Sequence, residues 1–203
     1  MNYKKEIIAV LDPMCSWCWG FEPILQKLQD TLSSDTKLSL VMGGLRSQGD
    51  QAWDKAFGTY LKEHWQNVHR ATGQAFNMHF LDREVFDYDT EPACRAVVTV
   101  RELDEKREFS CFNALQKAFY TDSKDITSTE VIAEILEAEG VSKSEFLDLF
   151  ESQKMREKTK DDYYKARSMG ANVFPSLVFI DEEGHLFVLK GYRGFEQIKK
   201  FMK

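Results

Sequence analysis

The stretch DPMCSWCWGFEP, residues 12–23, places Cys15 and Cys18 two residues apart, with Trp17 inside the pair and Trp19 directly after it. Upstream, KEIIAVLD is short, apolar and β-branched and is stopped by Asp12-Pro13, which predicts a buried strand. Downstream, Phe21, Ile24, Leu25, Leu28 and Leu32 recur at helical spacing. KLSLVMGG then alternates as a strand does and ends on the pair Gly43-Gly44. The sequence therefore opens as strand, helix, strand, with both cysteines at the strand-to-helix junction.

From about residue 45 to 169 the pattern is helical. Trp53, Phe57, Tyr60, Leu61, His64, Trp65 and Val68 mark one face of a long helix that tolerates Gly58, and residues 71–89 read as loop. Pro92 suits a first helical position. Thr127 with Glu130, and Ser142 with Glu145, have the spacing of capping boxes, and Gly140 between them suits the end of a helix. A last helix covers roughly 154–169 and stops at Gly170. NVFPSLVFID, a turn at Glu183-Gly184 and HLFVLK then predict a hairpin, and GFEQIKKFM a short helix. The class that fits is α/β: a βαβ unit and a ββα unit sharing one mixed four-stranded sheet, with a large all-helical insertion between them. The expected division is 1–44 with 170–203, and 45–169 for the insertion.

The 203 residues carry 27 basic and 33 acidic side chains, a formal charge of −6, and no basic stripe, so neither nucleic acid nor an anionic membrane is an expected partner. No run approaches the ~20 apolar residues that span a bilayer. Ile7 to Leu11 is too short for a signal sequence, and a cytoplasmic location is expected. There thiols are held reduced, which argues against a structural disulfide framework.

A C-x-x-C pair at a helix start has a chemical use. Free backbone N–H groups and the helix dipole favour an anion at the first sulfur, and the second lies one turn along, close enough to form a disulfide. A metal reading needs two more ligands. Cys94 and Cys111 fall on separate predicted helices without a second ligand beside either, so no metal site is expected and both read as buried, inert thiols. None of the four histidines has ligand or catalytic spacing, and His64 reads as a partly buried core residue. Arg46 reads as solvated.

DPMCSWCWGFEP, with MGGLR downstream and GANVFPSLVF near the end, resembles the DsbA family, most of all its cytoplasmic FrnE-like branch of predicted disulfide isomerases. The resemblance covers the whole chain and implies a thioredoxin fold interrupted by a helical domain. It implies that Cys15 is the exposed nucleophile and Cys18 the buried resolving thiol. It further implies that Pro175 is a cis proline facing the pair, and that the backbone of Phe174 pairs with extended substrate. Trp17 is a candidate platform for a bound peptide, and Trp19 a candidate for core packing. The implied activity is dithiol–disulfide exchange on protein, peptide or small disulfides. No cofactor is implied beyond the Cys15–Cys18 disulfide, with glutathione as a candidate co-substrate; direction, client and oligomeric state stay open. One departure stands out: thioredoxin-like proteins often keep a buried acid six residues before the first cysteine, where this chain has Ala9. Asp12 lies near but reads as a turn cap or a solvated residue. Two alternatives remain. A glutathione-dependent transferase or isomerase of the kappa class shares the fold, but typically has serine at the position of Cys15 and lacks the second cysteine. A zinc- or client-binding module would use the cysteines without catalysis.

Overall fold

The computed structural model describes residues 3–47 and 53–202, so the start of the expected insertion, 48–52, lies outside the described residues. Its sheet is built from β1 (Lys5–Leu11), β2 (Thr36–Met42), β3 (Ser176–Ile180) and β4 (Leu186–Lys190). The order is β2-β1-β3-β4, with β1 parallel to β2 and antiparallel to β3, and with β3 antiparallel to β4. This is the mixed four-stranded sheet expected of a thioredoxin fold. Ala9, at the centre, pairs with Leu40 on one side and Leu177 on the other, and is fully buried. Sheet residues alternate between two cores, with Ile7, Ala9, Leu11 and Leu177 facing the larger and Ile8, Val10, Val41 and Val178 the smaller.

Helix α1 (Ser16–Thr31) packs Phe21, Leu25 and Leu28 on the sheet and carries Pro23 inside it. Proline has no N–H to give to the carbonyl four residues back, here that of Trp19. The side chain of Gln74 supplies the missing bond at 2.9 Å. Trp19 itself is buried, and its indole N–H donates to the Ala75 carbonyl at 2.9 Å. A loop beyond the next helix thus repairs and anchors α1.

Between β2 and β3 lie α2 (Lys55–Thr72), α3 (Glu91–Leu103), α4 (Glu108–Tyr120), α5 (Thr129–Ala138), α6 (Lys143–Phe150) and α7 (Gln153–Ser168). Asp54 caps α2 through the N–H of Phe57, and Pro92 sits in the first turn of α3. The predicted loop at 71–89 contains one 3-10 turn, Met78–Asp82. The first capping box does not form. Thr127 spends its hydroxyl on Asp125, and Ser128 takes the cap position. Ser142 does precede α6, but its hydroxyl faces Ser144 rather than the helix backbone. Gly140 and Gly170 follow their helices with left-handed φ of 82° and 77°. The chain closes with the hairpin and α8 (Phe195–Ile198).

One ion-pair network locks the helices to the sheet. Arg101 on α3 forks onto both oxygens of Asp162 on α7 at 2.9 Å, reaches Glu108 at 2.5 Å and donates to the Leu40 carbonyl at 3.1 Å. Asp162 also accepts the Met42 N–H of β2 at 2.8 Å. Burial pushes Glu108 up to about 7 against the opposing pull of Arg101.

Candidate active site

Asp12 and Pro13 end β1 and turn the chain, so that Cys15 becomes the N-cap of α1 in an extended conformation, with Cys18 inside the first turn. Both are thiols, and they touch. Cys18 is sealed from solvent, and burial together with the neighbouring Cys15 sulfur pushes its thiol well above the ordinary range. Cys15, expected to be exposed, is itself buried at 6% exposure, because the Phe174 loop passes over it, and its accessible edge borders a cavity of about 460 Å³.

The loop before β3 runs past this sulfur. The Phe174–Pro175 peptide bond is cis, and the Phe174 carbonyl accepts the Cys15 thiol at 3.8 Å. Thus Cys15 and Phe174, 159 positions apart in sequence, meet beside the cis bond to Pro175. The Phe174 ring lies against Gly43. A Cβ there would sit 2.3 Å from the ring, so only glycine permits the approach. The next residue, Gly44, has φ +67° and faces Tyr163. Trp17 is half-buried at the cavity edge, its ring tilted on Tyr192 at 5.5 Å and edge-on to His64 at 6.4 Å. His64 is half-buried too, and desolvation lowers its pKa, which keeps the ring neutral at pH 7.

Asp12 is not solvated; it is fully buried. Its carboxylate accepts Met14 N–H at 2.9 Å, Leu45 N–H at 2.7 Å and the Cys94 thiol at 3.4 Å, with Thr90 as a further partner. Its backbone carbonyl accepts Cys15 N–H at 3.1 Å, and its backbone N–H faces the Cys18 sulfur and favours the thiolate there. Burial raises its pKa, and these donors hold the rise in check. A buried carboxylate therefore stands beside the dithiol, three residues before Cys15 instead of six. Cys94, read from the sequence as an inert helix residue, is one of its hydrogen-bond donors. Arg46, read as solvated, lies in the cavity wall with its guanidinium over Phe57 at 4.8 Å. The only sequence signal for Asp12 was its adjacency to the motif; its side-chain partners other than Met14 lie 33 to 82 positions away.

Among the described residues no group of three His, Cys, Asp or Glu side chains is arranged to hold a metal ion, and no helix is long and apolar enough to cross a membrane.

The family model described as thioredoxin matches residues 9–200. Among solved structures, a Nitrosomonas europaea protein provisionally described as a protein disulfide isomerase superposes with a TM-score of 0.89 at 28% identity, over 98% of this chain and 95% of that one. The cytosolic disulfide reductase DsbM of Pseudomonas aeruginosa shares the fold with a TM-score of 0.76 at 23% identity, over 91% of this chain and 89% of its own; DsbM has also been solved with glutathione. DsbA oxidoreductases share the fold at lower identity. Among curated sequences, the ClpXP adapter protein SpxH of Halalkalibacterium halodurans is 24% identical over 187 residues, 88% of this chain. The chain spans about three fifths of the length of the curated relatives it matches.

Proposed function

The chain belongs to the thioredoxin family, and from that premise we propose that it is a thiol–disulfide oxidoreductase acting through Cys15 and Cys18. The observation that carries this reading is the meeting of a rim thiol, a sealed thiol and the Phe174 carbonyl at the edge of one cavity. Cys15, at the positive end of α1, attacks one sulfur of a client disulfide as a thiolate. The client S–S bond breaks, and its leaving sulfur departs as a thiolate that takes a proton from solvent. A mixed disulfide joins Cys15 to the client. Cys18 then loses its proton and attacks the Cys15 sulfur, releasing the second client thiol and leaving a Cys15–Cys18 disulfide. Asp12, a buried carboxylate with raised pKa, is the proposed acceptor of the Cys18 proton. Two electrons from an external thiol, for which glutathione is the candidate, return the pair to the dithiol. Phe174 and Pro175 present backbone to an extended peptide, and Trp17 covers it. Membership of the FrnE-like branch, which rests on the sequence motifs alone, and a cytoplasmic location, supported by the cytosolic DsbM neighbour, complete the proposal.

Cys18→Ser tests it. Serine removes the resolving sulfur with little change of shape, so the mixed disulfide should persist. After acid quenching, the variant should carry covalent partners that dithiothreitol releases and that Cys15→Ser lacks. A folded variant carrying none would refute exchange and favour an adapter role such as the longer relatives are named for. Glutathione alone on Cys15 would favour the small-molecule chemistry of the kappa class.

A further inference from the structure

The cavity beside Cys15 has two cationic walls. Arg46 follows β2 and Arg167 closes α7, and both line the same space of about 460 Å³ as Cys15, Trp17, His64 and Phe174. Elsewhere in this acidic chain, four arginines find carboxylates: Arg95 pairs with Glu91, Arg101 with Glu108 and Asp162, Arg107 with Asp104, and Arg156 with Glu151, whereas Arg70, Arg83 and Arg193 bond neutral oxygens. Among the described residues neither Arg46 nor Arg167 has a carboxylate partner. Arg46 is instead stacked on Phe57, with Tyr88 at 6.0 Å, which orients its guanidinium without neutralising it. His64 is uncharged at neutral pH and adds no positive charge of its own, and among the described residues no acidic side chain lines the cavity.

We propose that Arg46 and Arg167 make this an anion-selective thiol site, whose preferred disulfides and thiols carry carboxylates flanking the sulfur. The inference rests on the oxidoreductase reading for its biological use, but not for its test. A planar guanidinium matches a carboxylate with two parallel hydrogen bonds, and two such groups near one sulfur would fix both ends of a short anionic peptide thiol. Arg46 and Arg167 are positioning residues here. They hold the substrate while the exchange takes place at Cys15.

The probe is a pair of alkylating agents. Iodoacetate and iodoacetamide both transfer a two-carbon group to a thiolate and release iodide, but only the first is anionic. The ratio of their rates at Cys15, mapped by mass spectrometry on the reduced full chain, should exceed that of a small free thiol by roughly three- to tenfold at low salt. It should fall toward the free-thiol ratio in Arg46→Gln and Arg167→Gln, be restored by Arg46→Lys, and decline in 0.5 M salt at about the screening expected of exposed charges. Circular dichroism and melting confirm that each variant is folded. A wild-type ratio equal to that of a free thiol, or one unchanged in both glutamine variants, overturns the proposal. Because the readout needs no turnover, loss of anion preference and loss of disulfide exchange in the Cys18→Ser trap are separate failures.

Discussion

Replacing Gly43 by alanine perturbs the site through one contact. The added Cβ would lie 2.3 Å from Cε1, 2.4 Å from Cζ and 2.8 Å from Cδ1 of the Phe174 ring. Carbon atoms pack best near ~3.5–4.0 Å, so something must retreat by more than about 1 Å. The backbone of the glycine is held: Gly43 N–H donates to the Leu11 carbonyl at 2.7 Å, Met42 N–H to Asp162 and Leu45 N–H to Asp12. The ring must therefore yield, although it packs against both cores of the sheet. Overpacking of this kind costs about 1–3 kcal/mol. For a chain of this size, a loss near the middle of that range lowers the melting temperature by roughly 4–8 °C. The Phe174 carbonyl contacts the Cys15 thiol, so turning this residue also misplaces the backbone proposed to receive substrate. A displacement of about 1 Å there can cost up to ~100-fold in kcat/KM for a peptide disulfide. A double-mutant cycle separates this contact from general damage. In a Phe174→Ala background the space is open, and Gly43→Ala should lose most of its cost, leaving a coupling of about 1–2 kcal/mol. Equal cost in both backgrounds, or a single variant that melts within about 1 °C of wild type, would refute the reasoning.

Two further predictions concern the buried charges. Burial raises the Asp12 pKa above its unfolded value, so the folded state takes up the proton first and stability falls as pH rises from about 3.8 through the folded pKa. Asp12→Asn removes this titration, so its stability relative to wild type should improve between pH 4 and pH 7.5 in urea unfolding; a pH-independent difference would contradict a raised pKa. Arg101→Met leaves Glu108 and Asp162 facing each other without a cation, which should cost about 3–5 kcal/mol in denaturant unfolding at pH 8. Glu108, already at about 7, can escape by taking a proton, so the loss should shrink at pH 5; a cost below about 1 kcal/mol at pH 8 would show that the network does not hold the helices to β2.

Elements whose cause is local could be read from the sequence. The strand before Pro13, the stripe from Phe21 to Leu32, the glycines that end α5 and α7, and the hairpin turn all follow from periodicity or from one residue's conformational preference. Capping is local too, yet the helix begins one residue later than a Thr127 cap requires, with Ser128 in the cap position and the Thr127 hydroxyl donating to Asp125. What could not be read depends on distant groups. Nothing near Asp12 shows that Leu45, Thr90 and Cys94 will close over it, and a carboxylate is buried only when such donors arrive together. The strand carries Ala9 where an acid could stand, and the buried acid lies in the turn instead, at Asp12. Likewise Arg46 shows its role only once Phe57 is beneath it and Arg167 stands in the same cavity.

The inserted helices are more than an attachment to the sheet, because they supply two parts of the cavity wall. Tyr60, Leu61, His64 and Trp65 of α2 line it on one side, and Arg167 at the end of α7 leads into Ala171–Phe174 on another. The inserted helices are tied back to α1, to the Asp12 turn and to the sheet. The loop after α2 holds α1 through Gln74 and Ala75, α3 reaches Asp12 through Cys94, and α7 holds the end of β2 through Asp162. The dithiol itself depends on α1, the Asp12 turn and the Phe174 loop. On the proposed function, chemistry and selection are thus carried by different parts of the chain. Substitutions on the cavity side of α2, such as at Tyr60, would then alter which disulfide reaches Cys15 without changing the Cys15–Cys18 pair proposed to react with it.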